Sequence, residues 1–422
     1  MNSRYYRIML SICLLLMLAT SCSKEECVQT DSLARLNWSE RNYQVLNSFI
    51  DDYGSGGKYY NKEKKPYVVL DWDQTCAHFD VEEALMRFQL FNLRFKMTKE
   101  QFAGILLNDI NGITHLSDSF NNIPLADINQ DLINDYNFLY DNFLGPNGTM
   151  APANIKATLQ YKDFVVKIPF LYDGYCATPG IGDQYGYPWV LYLLAGHTIS
   201  EVKEMATEAI SYELGNKLSK ETLLSPGDLP TTTGVLSYSY KSGLRIFAEM
   251  QNLISTFQKR GIEVFIVSAS YKPVVEVFSG IGTYGYNVPA NHVLAMELDV
   301  DTEGKIAPHY KPGWVKTVRQ GKVDAIERVI KQGLGMNWDP LFSAIDSDGD
   351  YEMATEFAGM KLTLIWNRVK GGDIGKLCIK AVEQSGNAKP LYILQGRDEN
   401  TGLALPCSES ILFGKTEKQL LH

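Results

Sequence analysis

Five short, almost continuously apolar runs constrain the fold of this chain more than any other feature: "YVVLD" (67–71), "EVFIVSAS" (263–270), "LFSAIDSD" (341–348), "KLTLIW" (361–366) and "LYILQG" (391–396). Runs this short and this apolar are the pattern of strands covered on both faces. Between the later runs the pattern turns helical. "GKVDAIERVIKQGLG" places Val323, Ile326 and Ile330 on one helical face and offers Gly333 as a stop. Strands alternating with helices predict an α/β architecture, a Rossmann-like parallel sheet with helices on both faces.

About 190 residues separate the first run from the second. They carry helical stretches such as "VEEALMRFQLFNLRF" and "TISEVKEMATEAISYEL" and no comparable strand signal. A segment this long is no loop. It reads as a large, mostly helical cap inserted after the first strand, over 81–249, with the core built from 61–80 and 250–400 and a tail over 401–422. Residues 22–60 form a lead-in with one short helix around "NWSERNYQVLNSFIDDYG", closed by the flexible "GSGG".

The first residues have the layout of an export signal. Arg4 and Arg7 precede an apolar run to Leu18, and small residues lead into Cys22. The ending "LATSC" resembles the lipobox of bacterial lipoproteins, which implies cleavage after residue 21 and lipid attachment at Cys22. The expected location is a lipid-anchored, exported protein at the outer membrane, facing periplasm or cell surface. The remaining cysteines are scattered and contain no C-x-x-C pair, which disfavours zinc. Net charge is −9, and no Lys/Arg cluster suggests a nucleic-acid groove.

Polar residues gather where the strands end. Asp71, Asp73 and Thr75 stand in "DWDQT", and Ser268 follows "EVFIV". Lys322 opens an amphipathic helix, and Asp346 and Asp350 lie in "AIDSDGDYEM". In open parallel sheets, ligands bind at the carboxyl ends of the strands. A calcium loop is a poor alternative for the last motif, since Phe357 occupies the place of the bidentate acid. "GIGTYG" (280–285) fits G-x-G-x-x-G but follows a helical stretch, so a dinucleotide site is not expected.

These four segments, in this order, resemble the motifs of the haloacid-dehalogenase superfamily of phosphatases. The resemblance implies Asp71 as nucleophile in an aspartyl-phosphate mechanism and Asp73 as the acid and base that moves the proton. It implies Ser268 and Lys322 as phosphoryl-binding groups, with Thr75 and Asp350 supporting. Mg²⁺ would be held by Asp71, Asp346 and the backbone carbonyl of Asp73. Within the superfamily, "DWDQT…DVEEAL", "YDGYC…YGYPWV", "IVSASYKPVVEVF", "DSDGDYEM" and "LIWNR" are similar to the bacterial phosphorylcholine phosphatases. This implies a small phosphate ester as partner, phosphocholine or a similar amino-alcohol phosphate. Gln74 and Ile345 depart from the family pattern. Glu83, with Glu82, Tyr187 and Trp189, is the expected contact for a quaternary ammonium, through carboxylate charge and aromatic faces. A phosphoserine phosphatase is the alternative within the class, and a non-catalytic phosphocholine-binding lipoprotein the alternative outside it. The paired aspartates argue against the latter, because a binder needs no proton shuttle.

Overall fold

The computed structural model describes residues 32–108, 110 and 112–421. The expected signal segment, the lipid site at Cys22, and Cys13 and Cys27 lie outside the described residues. Leu33–His422 forms one compact unit.

Its centre is a six-stranded, all-parallel sheet. We label the strands β1 (Tyr67–Leu70), β2 (Glu263–Tyr271), β3 (Val293–Met296), β4 (Phe342–Ile345), β5 (Leu362–Trp366) and β6 (Tyr392–Gln395), arranged β6-β5-β4-β1-β2-β3. Five of them are the apolar runs of the sequence. The sixth, β3, is the fully buried "VLAM", a strand the sequence reading missed. Every residue of β1, β4 and β5 is buried, which explains why these strands show no polar alternation. The sheet separates two hydrophobic clusters, one around Val68, Leu70 and Phe342 and one around Val69, Ile345 and Ile365.

Between β1 and β2 the chain is mostly helical. Helices Val81–Phe91, Leu125–Leu139, Leu159–Ala177, Gly182–Leu191 and Ile199–Gly215 are its main elements. One antiparallel hairpin, Ser219–Leu224 with Ser237–Ser242, interrupts the helical pattern.

Both flanks of the core are more structured than their sequences suggest. The lead-in helix Glu40–Tyr53 is capped by Ser39 and packs on β6, where Asn42 donates to the Leu394 carbonyl at 2.9 Å. The expected tail contains short strands that join Arg397–Asp398 in a small four-stranded sheet. Cys76, Cys176, Cys378 and Cys407 are all unpaired. Among the described residues no helix is long and apolar enough to cross a membrane.

Candidate active site

The segment after β1 explains why two aspartates flank one tryptophan. Trp72 is fully buried and packs edge-on against Phe278 and Tyr286, with ring centroids 5.4 and 4.9 Å away. Side chains alternate along an extended chain, so anchoring Trp72 in the core turns Asp71 and Asp73 the other way. Both aspartates line a cavity of about 240 Å³ at the carboxyl edge of the sheet. Gln74 follows in the left-handed region, at φ 65°. Buried Arg397 holds it there, donating to the Gln74 carbonyl and to its side-chain oxygen, each at 2.8 Å. The C-terminal sheet therefore braces the turn that presents the aspartates, and the unusual glutamine is the residue it grips.

Asp71, Asp346 and Asp350 offer carboxylate oxygens that all lie within 4.8 Å of one another. Thr75 donates to Asp71 at 2.9 Å, and its hydroxyl is 3.4 Å from Asp346. Lys322 reaches Asp71 at 2.6 Å and Asp350 at 2.5 Å, and its side chain is 2% exposed. Burial disfavours its charge, but the two carboxylates outweigh burial and keep the ammonium protonated. Gly321, just before it, admits no side chain: a Cβ there would lie 1.7 Å from the Lys316 carbonyl oxygen. The G-K pair in the sequence thus has a steric cause.

Asp73 adds no carboxylate oxygen to this cluster. Its carboxylate accepts from the Ser270 hydroxyl at 2.6 Å and from the Val81 amide at 2.8 Å. Burial and the neighbouring Asp80 push its carboxyl well above the ordinary carboxylate range, toward the protonated form.

Several expected residues lie elsewhere. Ser268 is fully buried and is not among the residues lining the cavity; its hydroxyl accepts from the Ser270 amide at 3.1 Å. Ser270, two residues on, lines the cavity instead, as does Ser347. Trp189 is also fully buried. It donates to the Ile105 carbonyl at 2.9 Å and packs edge-on against Tyr175, away from the cavity. Its expected substrate contact is therefore replaced by a packing role. Glu83 is absent from the lining and pairs with Arg87 at 3.3 Å. Glu82 and Tyr187 do line the cavity, with Asp80 and Tyr172. Burial pushes the Glu82 carboxyl up to about 8 and the Asp80 carboxyl up to about 7.

The sequence reading gave no role to Arg319, Arg368 or Lys370, which also face the cavity. Arg368 donates to Asp346 in a close ion pair. Arg319 reaches across to Asp183 of the helix Gly182–Leu191 at 2.8 Å. Position was the signal for Arg319 and Lys370, before the Lys322 helix and after β5, whereas Arg368 also closes the "LIWNR" segment of the family resemblance.

An all-oxygen cluster of three carboxylates suits a hard divalent cation such as Mg²⁺. Asp71 and Asp346 are the expected ligands among them, and Asp350 is a third acid in the same cluster.

No family model matches the chain. The phosphorylcholine phosphatase of Pseudomonas aeruginosa is 23% identical over 260 residues, covering 62% of this chain and 54% of that protein. The chain thus matches about half the length of that curated relative. A solved structure of a conserved, functionally unknown protein from Anaerococcus prevotii superposes with a TM-score of 0.81 and 30% identity, over 92% of this chain and 99% of that one. A phosphoserine phosphohydrolase-like protein from Francisella tularensis matches at a TM-score of only 0.32 and 10% identity, over 72% and 87% of the two chains. That likeness is too distant to bear on the site. The chain belongs to one family with the Anaerococcus prevotii protein, and it carries a fold and an ordered motif set resembling those of the haloacid-dehalogenase phosphatases.

Proposed function

We propose that this protein is a divalent-metal-dependent phosphomonoesterase that forms an aspartyl-phosphate intermediate. The observation that carries the reading is the setting of Asp71. It is a buried carboxylate at a strand end, touched by Lys322 at 2.6 Å and clustered with Asp346 and Asp350, with Asp73 held separately in the same cavity. Asp71 attacks phosphorus, and the bond to the leaving oxygen breaks. Asp73 gives that oxygen a proton, then takes one from the water that hydrolyses the acyl phosphate. Lys322 holds phosphoryl oxygens, and Ser270 keeps Asp73 aimed into the cavity. Bound Mg²⁺, held by Asp71 and Asp346, would supply neutralisation of the phosphoryl charge.

The organic part of the substrate is an amino alcohol of the choline type. Asp183, the rings of Tyr172 and Tyr187, and the buried acids Asp80 and Glu82, whose charged forms a bound cation would favour, line the same cavity, a surface suited to an ammonium group. The printed name of the Pseudomonas relative supports this choice. Phosphoserine is the second reading, favoured by Arg319 and Lys370, which also line the cavity and would meet a carboxylate. An exported location with a lipid anchor at Cys22 belongs to the proposal and rests on the N-terminal sequence alone.

A panel of phosphomonoesters, assayed for phosphate release with Mg²⁺ and with chelator, tests the reading. Phosphocholine should be cleaved fastest, and chelator should stop the reaction. Preferential cleavage of phosphoserine would replace the substrate, and no release from any ester would remove the activity.

A further inference from the structure

Arg368 lies just beyond β5, and its place in the charge arrangement points to a second task. The three clustered carboxylates have two cations in contact with them. Lys322 bridges Asp71 and Asp350, whereas Arg368 holds only Asp346. A divalent ion adds two positive charges to a cluster whose acids are already each paired, so one of the two cations becomes redundant. Lys322 is clamped between two carboxylates and is 2% exposed. Arg368 has one carboxylate partner, is 20% exposed and lines the cavity. Its Nε is buried without any hydrogen-bond partner, which leaves part of its donor fork unused.

The backbone beside it is unusual as well. Val369 sits at φ 52°, where a β-branched residue is strained, and its amide is held by the Asn367 side chain at 2.8 Å. Asn367 is in turn fixed to the Ser408 carbonyl at 2.8 Å. Strain of this kind persists where surroundings impose it and gathers at functional sites. Here it sets the segment that carries Arg368 over the cavity.

We propose that Arg368 is a phosphate ligand held in reserve: it neutralises Asp346 while the cluster is metal-free, then releases it to the cation and donates to the phosphoryl group. The planar guanidinium fork suits a phosphate better than a single ammonium does. The proposal rests on the phosphatase reading above. It differs from a role in which Arg368 merely orients a metal-binding carboxylate, and the two roles predict different outcomes. Loss of an orienting partner weakens metal binding by about ten- to a hundredfold.

The test measures two affinities by calorimetry on the full-length protein, for Mn²⁺ alone and for inorganic phosphate at saturating Mn²⁺. Arg368→Gln should bind Mn²⁺ at least as tightly as wild type and lose about tenfold or more in phosphate affinity. Arg368→Lys, which keeps the charge and is the gentler change for folding, should lose less phosphate affinity than Arg368→Gln. A tenfold weaker Mn²⁺ affinity with unchanged phosphate affinity would overturn the proposal and leave an orienting role. Equal phosphate losses in both variants would also overturn it. If wild type binds Mn²⁺ but no phosphate, the phosphatase reading itself fails, and the role of Arg368 falls with it.

Discussion

Replacing Lys322 by Met separates the charge role of this residue from its packing. The methionine fills nearly the same volume but removes the cation that touches Asp71 at 2.6 Å and Asp350 at 2.5 Å. With Asp346 in the same cluster, three carboxylates are then left with Arg368 as the one remaining contact cation among the described residues. Breaking a buried ion pair by removing one partner costs about 3–5 kcal/mol, because the other charge stays buried and uncompensated. Unfolding entropy of about 2 cal/mol/K per residue makes 1 kcal/mol worth roughly 1 °C in a chain of this length. The metal-free variant should therefore melt about 3–5 °C below wild type. Mg²⁺ binding only to the folded state should then recover much of that loss, because the cation supplies the missing charge. Thermal melts of both proteins in chelator and in Mg²⁺ decide the matter. A metal-free loss below about 1 °C, or a loss that Mg²⁺ does not change, would show that Lys322 is not the counter-charge of the acidic cluster.

Asp73→Asn should lower kcat by about 10²–10⁴-fold while Mn²⁺ affinity changes little, since Asp73 lies outside the carboxylate cluster; steady-state kinetics beside calorimetry would check both. Tyr187→Ala should raise KM for a quaternary-ammonium ester by about 2–30-fold, matching a cation–π contact of about 0.5–2 kcal/mol. Trp189→Phe should instead lower the melting temperature and leave KM alone, because its indole donates to Ile105 within the packed helices. Glu399 tests the brace behind the active-site turn. Burial pushes its carboxyl up, but Arg397 and Lys241, each at 3.0 Å, outweigh that and hold it down at about 2. A folded value below the ordinary 4.5 means stabilisation that is complete above that pH and is lost as pH falls toward 2. Glu399→Gln should thus be less stable than wild type near neutrality, with the difference shrinking in melts below pH 4.5.

The parts of the fold visible in the sequence are those set by local pattern. Continuous burial on both faces leaves unbroken apolar runs, and five of the six strands could be read that way. The sixth, Val293–Met296, passes directly into "ELDV", whose charged residues alternate with apolar ones, so its apolar run is not set off at the carboxyl end. The aspartates were legible because charges at the end of an apolar strand are rare without a cause. Residues whose role depends on which way a side chain faces were not legible. Trp189 and Tyr187 sit two apart in one aromatic stretch, yet one packs inside the helices and the other reaches the cavity. Ser268 and Ser270 differ in the same way, within the stretch of β2 where its pairing with β3 shifts register between Val267 and Tyr271. Arg368 and Arg397 carry charge from distant segments to the site, and only the folded chain shows what they touch.

The central claim is that Asp71 takes the phosphoryl group. Borohydride added during turnover of phosphocholine with Mg²⁺ reduces an acyl phosphate, and peptide mass spectrometry then locates the reduced residue. The account predicts homoserine at position 71 in wild type and none in Asp71→Asn. Phosphate release with no reduced residue at 71, or with the mark on another side chain, would contradict it.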